Sequence, residues 1–205
     1  MRLLLKTKYY TFLILGLIVL VTLQNCERDD ICAESTTTTS RLIIEFYDTD
    51  NPEELKSVPN LTVYGEGLIT DENGSIIEPT EASDKIITRH DDDDAYVFNI
   101  TSNKIALPLR INDDLGNDFV ISRFVLEKDT DLRLDDDGTT DSSTDIIEIT
   151  YNTEFEYVSR ACGYKSIFEL LNITLDTGGD TWIDNIEIVE TTINNENTVH
   201  VNIFH

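Results

Sequence analysis

The sequence has 205 residues, of which 40% are hydrophobic and 27% are charged. This composition is typical of a globular chain and argues against a disordered one. Asp and Glu number 40 against 15 Lys and Arg, so the net charge is −25. A body this acidic repels phosphate backbones, which argues against nucleic acid as a partner. The acidity is interpreted first as a means of solubility, with cation binding as the alternative.

Residues 1–25 have the layout of an export signal. Arg2, Lys6 and Lys8 precede an apolar stretch that runs from Tyr9 to Leu23. A basic start followed by a short apolar run is typical of a secretory signal peptide, and a membrane-spanning helix needs about 20 apolar residues. We therefore predict a signal peptide, helical in its apolar part, over residues 1–25.

Cys26 lies where a lipoprotein signal places its cysteine. The segment resembles a lipobox, with Leu23 at the apolar position three residues before the cysteine, although Asn25 departs from the usual small residue. The resemblance implies that the Cys26 thiol takes diacylglycerol and that the freed amine is acylated. Several acyl chains anchor a protein stably, whereas one chain would be marginal. The acidic run Glu27–Asp30 resembles a Bacteroidota surface-export signal, with an ordinary acidic linker as the alternative.

Cys32 and Cys162 remain once Cys26 is lipidated. An exported chain with one spare pair of cysteines favours a disulfide, which would pin the tether to the domain. Two free thiols are the alternative.

Residues 26–40, rich in Ser and Thr, are predicted to be the lipidated cysteine and a flexible tether, and residues 41–205 to be the folded domain. From residue 41 onward the apolar residues alternate with polar ones, most clearly in residues 146–158. Here Ile147, Ile149, Tyr151, Phe155 and Tyr157 are expected to share one face of a half-buried strand.

Turn signals separate about eight to ten such strands. Asp71–Ser75 predicts one hairpin, and Asn194–Asn197 predicts a last hairpin into Val199–Phe204. Pro52–Lys56 and Ser166–Leu171 are the weak candidates for helices. The pattern favours an all-β domain, an antiparallel β-sandwich of the Ig-like or Greek-key type.

Several segments also resemble an uncharacterised family, a domain of unknown function in flavobacterial lipoproteins. This resemblance implies a Bacteroidota source, export and a characteristic cysteine pair, and it implies no activity. The matching segments are Cys26–Cys32, Arg41–Pro52, Leu61–Gly65, Val158–Lys165 and His200–His205.

Asp135, Asp137 and Asp141 are the candidate metal ligands. Calcium prefers six to eight oxygens from alternating carboxylates on a sharply turning loop. Arg133 stands where such a loop would begin with Asp, and no Glu follows at the twelfth position, so the full motif fails. A solvated loop is the first interpretation and bound calcium the second. A further acidic cluster, His90–Asp94, precedes a predicted strand.

The sequence contains no nucleotide loop, nucleophile elbow or zinc-protease helix motif. His200 and His205 fall on opposite faces of one predicted strand and therefore cannot chelate a metal together. No catalytic residue is assigned, and no cofactor is predicted apart from the calcium alternative.

We therefore expect a non-catalytic lipoprotein of the cell envelope, anchored in the outer membrane by its lipid and facing the periplasm or the cell surface. Its partners would be the membrane and an envelope protein or glycan, not nucleic acid. The first alternative is a calcium-assisted surface adhesion or glycan-binding module, and the second is a carboxylate-dependent hydrolase.

Overall fold

A computed structural model describes Cys32 and residues 39–86, 96–111, 119–135, 137–176 and 181–205, the side chain of residue 171 excepted. Within these ranges the chain is mostly β-strand, with one short helix. The elements are β1 (Leu42–Tyr47), β2 (Val58–Gly65), β3 (Ile100–Ser102), β4 (Lys104–Leu107), β5 (Val120–Lys128), α1 (Thr130–Leu134), β6 (Ser143–Ser159), β7 (Gly163–Asp176), β8 (Asn185–Ile188), β9 (Thr192–Ile193) and β10 (Val201–Phe204).

The described chain separates into two compact units. Cys32 and Val158–Gly163 belong to the smaller unit, and residues 39–157 and 164–205 contain the described part of the larger one. The hydrophobic core lies entirely in the larger unit.

The strands form two sheets, as the sequence predicts for a sandwich. One sheet has the order β4-β1-β10-β8, and the other has the order β3-β2-β5-β6-β7-β9. The expectation of an antiparallel fold throughout is wrong at one pair, because β1 and β10 run parallel, with Ile44 opposite Val201 and Phe46 opposite Ile203. These strands are far apart in sequence, so no tight turn forces them to run in opposite directions.

The two predicted turns have different outcomes. The hairpin at Asp71–Ser75 is confirmed, since the Asp71 amide donates to the Ser75 carbonyl at 2.9 Å. The predicted last hairpin is wrong, although Asn194–Asn197 does turn. β9 pairs with β7 in the six-stranded sheet, whereas β10 pairs with β1 and β8 in the other. The turn therefore carries the chain from one sheet to the other.

Apolar residues from the inner faces of both sheets form one core. On β6, Ile147, Ile149 and Tyr151 are fully buried, which confirms the alternation predicted for the first half of that strand. Burying side chains of this size contributes about 1.5–3 kcal/mol each. The four-stranded sheet contributes Leu42, Ile44, Phe46, Ile105, Leu107, Val201 and Ile203, and the six-stranded sheet contributes Val63, Val120, Phe124, Leu126, Ile147, Ile149, Tyr151, Phe168 and Leu170.

The second half of β6 departs from the prediction. Phe155 and Tyr157 continue the alternation, yet they are 49% and 58% exposed. The strand therefore continues beyond the sandwich core, and its inward side is open there. We name residues 154–157 of β6 together with Tyr164 and Lys165 of β7 the arm.

Both predicted helices are wrong, and the helix that forms was not predicted. Pro52–Lys56 makes a turn that returns to β1, where the Lys56 amide donates to the Phe46 carbonyl at 2.9 Å. Ser166–Leu171 lies within β7, where its apolar residues pack with the period of a strand. The short α1 places Arg133 on the buried Glu127, with Nε and Nη2 donating to its carboxylate at 2.5 and 2.9 Å. In the described part of the chain, no helix is long and apolar enough to span a bilayer.

Candidate functional site

Cys32 and Cys162 form a disulfide in the smaller unit. Their Cα atoms lie 4.8 Å apart although the residues are separated by 130 positions, and this spacing suits an unforced disulfide. Cys162 lies in the turn between β6 and β7, where its amide donates to Ser159 Oγ at 3.0 Å. Gly163 ends the turn at a φ of 72°, which a residue without Cβ adopts readily. Cys26, the predicted lipidation site, lies outside the described residues.

The candidate calcium ligands Asp135, Asp137 and Asp141 lie on the loop that follows α1. Asp137 Oδ1 accepts from the Thr139 amide at 3.0 Å and from its hydroxyl at 2.7 Å. These hydrogen bonds hold the pKa of the exposed Asp137 carboxyl below its usual value. Asp135 Oδ1 accepts from the Asp137 amide at 2.8 Å, and Asp141 Oδ1 accepts from the Ser142 amide at 2.9 Å.

This acidic loop borders a shallow depression of about 380 Å³. Its carboxylates face donors of their own loop and do not converge on a common point. Across the described ranges, no group of three or more His, Cys, Asp or Glu side chains is arranged to hold a metal ion. The second acidic cluster, His90–Asp94, lies outside those ranges.

The two described histidines lie apart, on opposite sides of the four-stranded sheet. His200 Nδ1 accepts from the buried Ile43 amide at 3.0 Å. His205 is in the core, in edge-to-face contact with Phe46 and Trp182 at 6.2 and 5.5 Å between centroids. Burial lowers the pKa of both imidazoles, as desolvation penalises their charged form.

The pairing of strands in the four-stranded sheet forms a candidate site on its outer face. The sequence analysis missed this site. Tyr47 of β1, Phe204 of β10 and Asn185 of β8 are successive cross-strand neighbours. The Tyr47 and Phe204 rings lie 5.8 Å apart and are tilted by 36°. Ile203 points into the core, so Phe204 points outward because successive strand residues face opposite sides.

An open cavity of about 310 Å³ lies beside Phe204 and is also lined by Thr49, Pro52, Asn185 and Glu187. Asp184 at its edge accepts from the Thr49 hydroxyl at 2.6 Å. The next outward row places Glu45 opposite Asn202, and Asn202 opposite Glu187. We name Tyr47, Thr49, Asn185, Glu187 and Phe204 the aromatic row. It combines ring faces with amide, hydroxyl and carboxylate groups, which is the composition of a site for a small polar ligand.

The alternation in β1 and β10 shows that Tyr47 and Phe204 face away from the core side. The register that makes these residues neighbours depends on the parallel pairing of β1 and β10, which no local signal indicates.

Comparison with known proteins assigns the chain to a family. Neither a curated protein nor a solved structure matches the chain. A family model described as a family of unknown function, DUF6452, matches residues 60–205, which include the whole of β3 to β10 and most of β2. The match covers well over half of the chain, and the chain belongs to the DUF6452 family.

Proposed function

We propose that this protein is an exported lipoprotein of the cell envelope whose β domain has a binding or structural role and no catalytic one. The single observation that carries the proposal is the Cys32–Cys162 disulfide. Disulfides form and persist in oxidising compartments outside the cytosol. The bond also occupies every cysteine of the sequence except Cys26.

The leader and its cysteine supply the second argument. The signal-like residues 1–25 precede Cys26 directly, and Cys26 then carries the lipid that holds the domain at the outer membrane. The resemblance of Cys26–Cys32 to flavobacterial lipoproteins supports the same assignment and a Bacteroidota source. We further propose that the sandwich is of the Ig-like or Greek-key type, since its strands form two sheets whose inner faces share one core.

A role without catalysis agrees with the way acidic side chains are used. Glu66, Glu148 and Asp176 all contact the guanidinium of Arg123, at 2.5, 2.8 and 2.6 Å. These contacts raise the pKa of Arg123 further above its usual value. Each of these carboxylates therefore has a structural role as an ion-pair partner of the Arg123 side chain. A carboxylate-dependent hydrolase would instead need two carboxylates facing a substrate cleft.

Lipid labelling of the protein in its native host tests the proposal. Cells fed an alkyne fatty acid should incorporate it into the wild-type protein, and Cys26→Ser should abolish the labelling. Cys162→Ser is the matched control, because it removes a different cysteine and should leave the labelling intact. Unlabelled wild-type protein, or a mass that still includes residues 1–25, would overturn the proposal.

A second candidate function, glycan binding, is favoured by the aromatic row. The Phe204 ring and its polar neighbours border an open cavity, and sugars offer apolar C–H faces for rings and hydroxyls for carboxylates and amides. Affinity electrophoresis in gels that contain xylan, mannan or β-glucan tests this function, with calcium or with EDTA. We expect retardation by one polysaccharide, which Phe204→Ala abolishes and Phe119→Ala, at an exposed ring outside the row, preserves. Equal mobility in all gels would remove this candidate.

A further inference from the structure

The arm exposes three aromatic rings on one side. Phe155, Tyr157 and Tyr164 are 49%, 58% and 68% exposed. The Tyr157 and Tyr164 rings contact each other edge to face, with centroids 5.4 Å apart. Phe155 and Tyr157 are two residues apart on a strand and therefore share a face. The three rings leave apolar surface exposed on this side of the arm, and exposed apolar patches mark sites of interaction.

The opposite side of the arm is charged. Glu154 and Glu156 alternate with the two aromatic residues of β6, and Lys165 Nζ lies 2.9 Å from Glu156 Oε2. The arm is therefore an amphipathic hairpin, with rings on one side and an ion pair on the other. A strand pair of this kind can lie at a boundary between an apolar phase and water.

The length of the covalent chain limits how far the arm can lie from a membrane that holds Cys26. Cys32 lies six positions after Cys26, and six extended residues span at most about 20 Å. The disulfide places the Cα of Cys162 only 4.8 Å from that of Cys32, and Tyr164 follows two residues after Cys162. A lipid on Cys26 thus keeps the aromatic side of the arm within a short chain length of the bilayer.

We infer that the aromatic side of the arm, Phe155, Tyr157 and Tyr164, contacts the headgroup region of the membrane in which the protein is anchored. This inference rests on the proposed lipidation of Cys26. Tyrosine rings are enriched at membrane interfaces because they combine an apolar body with a polar tip. Tethering raises the effective concentration of the surface, so a weak affinity of the arm for lipid is enough. The acidic body makes the favoured surface a zwitterionic one.

Quenching by brominated lipids tests the contact. The mature, acylated protein is reconstituted in phosphatidylcholine vesicles with or without bromine in the acyl chains. Tyr164→Trp introduces a reporter in the arm, and Ile76→Trp is the control because Ile76 is 72% exposed and lies on the turn after β2. Wild-type protein gives the background from Trp182. We expect the reporter at position 164 to be quenched at least about two-fold more than the one at position 76, as for a ring inserted at the interface.

Each of the remaining outcomes contradicts either the membrane contact or the proposed function. Equal quenching at the two positions in protein whose mass shows acylated Cys26 overturns the membrane contact alone. A mass without acyl chains overturns the proposed function. A concentration-dependent blue shift of the position-164 emission in acylated protein held in detergent micelles without phospholipid would show that a second copy covers the rings, and would also overturn the membrane contact.

Discussion

The imidazole of His200 replaces a backbone acceptor where β1 begins to pair with β10. Ile43 donates its amide to Nδ1, and Ile43 accepts from the His200 amide, each at 3.0 Å. The side chain is fully buried, and its Nε2 has no hydrogen-bond partner among the described residues. Nδ1 must be the unprotonated nitrogen to accept from Ile43, so the neutral ring carries its hydrogen on Nε2.

Replacing His200 should show what this acceptor contributes. His200→Ala leaves the buried Ile43 amide without a partner, so we expect the free energy of unfolding to fall by about 1–3 kcal/mol, with a further loss from the cavity. His200→Asn should lose less, because its side-chain oxygen can take the place of Nδ1. Urea denaturation at pH 7.5, followed by tryptophan fluorescence, measures both variants. Equal losses would contradict the acceptor role.

The same residue should make stability depend on pH. Burial lowers the pKa of His200 below 6.5, although Glu190 and Glu196 oppose the shift, and the pKa of His205 is lowered as well. The unfolded chain therefore binds more protons near pH 6, so stability is full above pH 6.5 and falls as the pH drops below it. Protonation of Nδ1 would also remove the acceptor of Ile43.

A pH series with His200→Asn isolates this contribution. Wild-type protein should lose more unfolding free energy between pH 7.5 and 5.5 than the variant loses, and His205 should account for part of what remains in the variant. Identical slopes for the two proteins would show that His200 does not carry the dependence.

At the scale of elements, β6 is one strand with two environments. Its first half packs Ile147, Ile149 and Tyr151 into the core, and its second half presents Phe155 and Tyr157 to the surroundings. The alternation of apolar residues is the same in both halves. The difference arises because an opposing sheet is present only over the first half.

A pair of substitutions on β6 tests this division. Ile149→Ala should lower the free energy of unfolding by about 2–5 kcal/mol because it leaves a cavity in the core. Phe155→Ser should change it by no more than about 0.5 kcal/mol because the ring is half exposed. Urea denaturation of the lipid-free protein measures both. A loss at position 155 as large as that at position 149 would show that the arm packs against the domain.

At the scale of the whole molecule, the net charge of −25 opposes compactness. Raising the sodium chloride concentration from low to physiological should increase the melting temperature by about 2–4 °C, the shift that ~1 kcal/mol produces in a domain of this size. Since Asp135, Asp137 and Asp141 face donors of their own loop, calcium and magnesium should act alike, as screening ions.

Thermal melts with calcium, magnesium or EDTA measure this effect, with Asp137→Asn as the matched variant. A rise specific to calcium that EDTA reverses and Asp137→Asn abolishes would favour the calcium-binding alternative over simple screening.

The sequence by itself determined the β character of the domain, the alternation of β6 and the turn at Asp71–Ser75, and it favoured the pairing of Cys32 with Cys162 over two free thiols. Strand periodicity and turn chemistry act over a few residues, and the cysteine pairing is expected from the small number of cysteines if the chain is exported, as proposed. For the same reason, Asp135, Asp137 and Asp141 could be placed on one loop, although their hydrogen bonds to that loop could not be foreseen.

Only the tertiary structure decided the rest. The parallel pairing of β1 with β10, the passage of the chain from β9 to the other sheet, the aromatic row and the acceptor role of His200 all depend on contacts between residues far apart in sequence. A period of two specifies which residues share a face of a strand. Which strand lies beside it, and where the opposing sheet ends, depends on the packing of the complete core. For that reason Phe155 and Tyr157 match the core pattern and yet remain exposed.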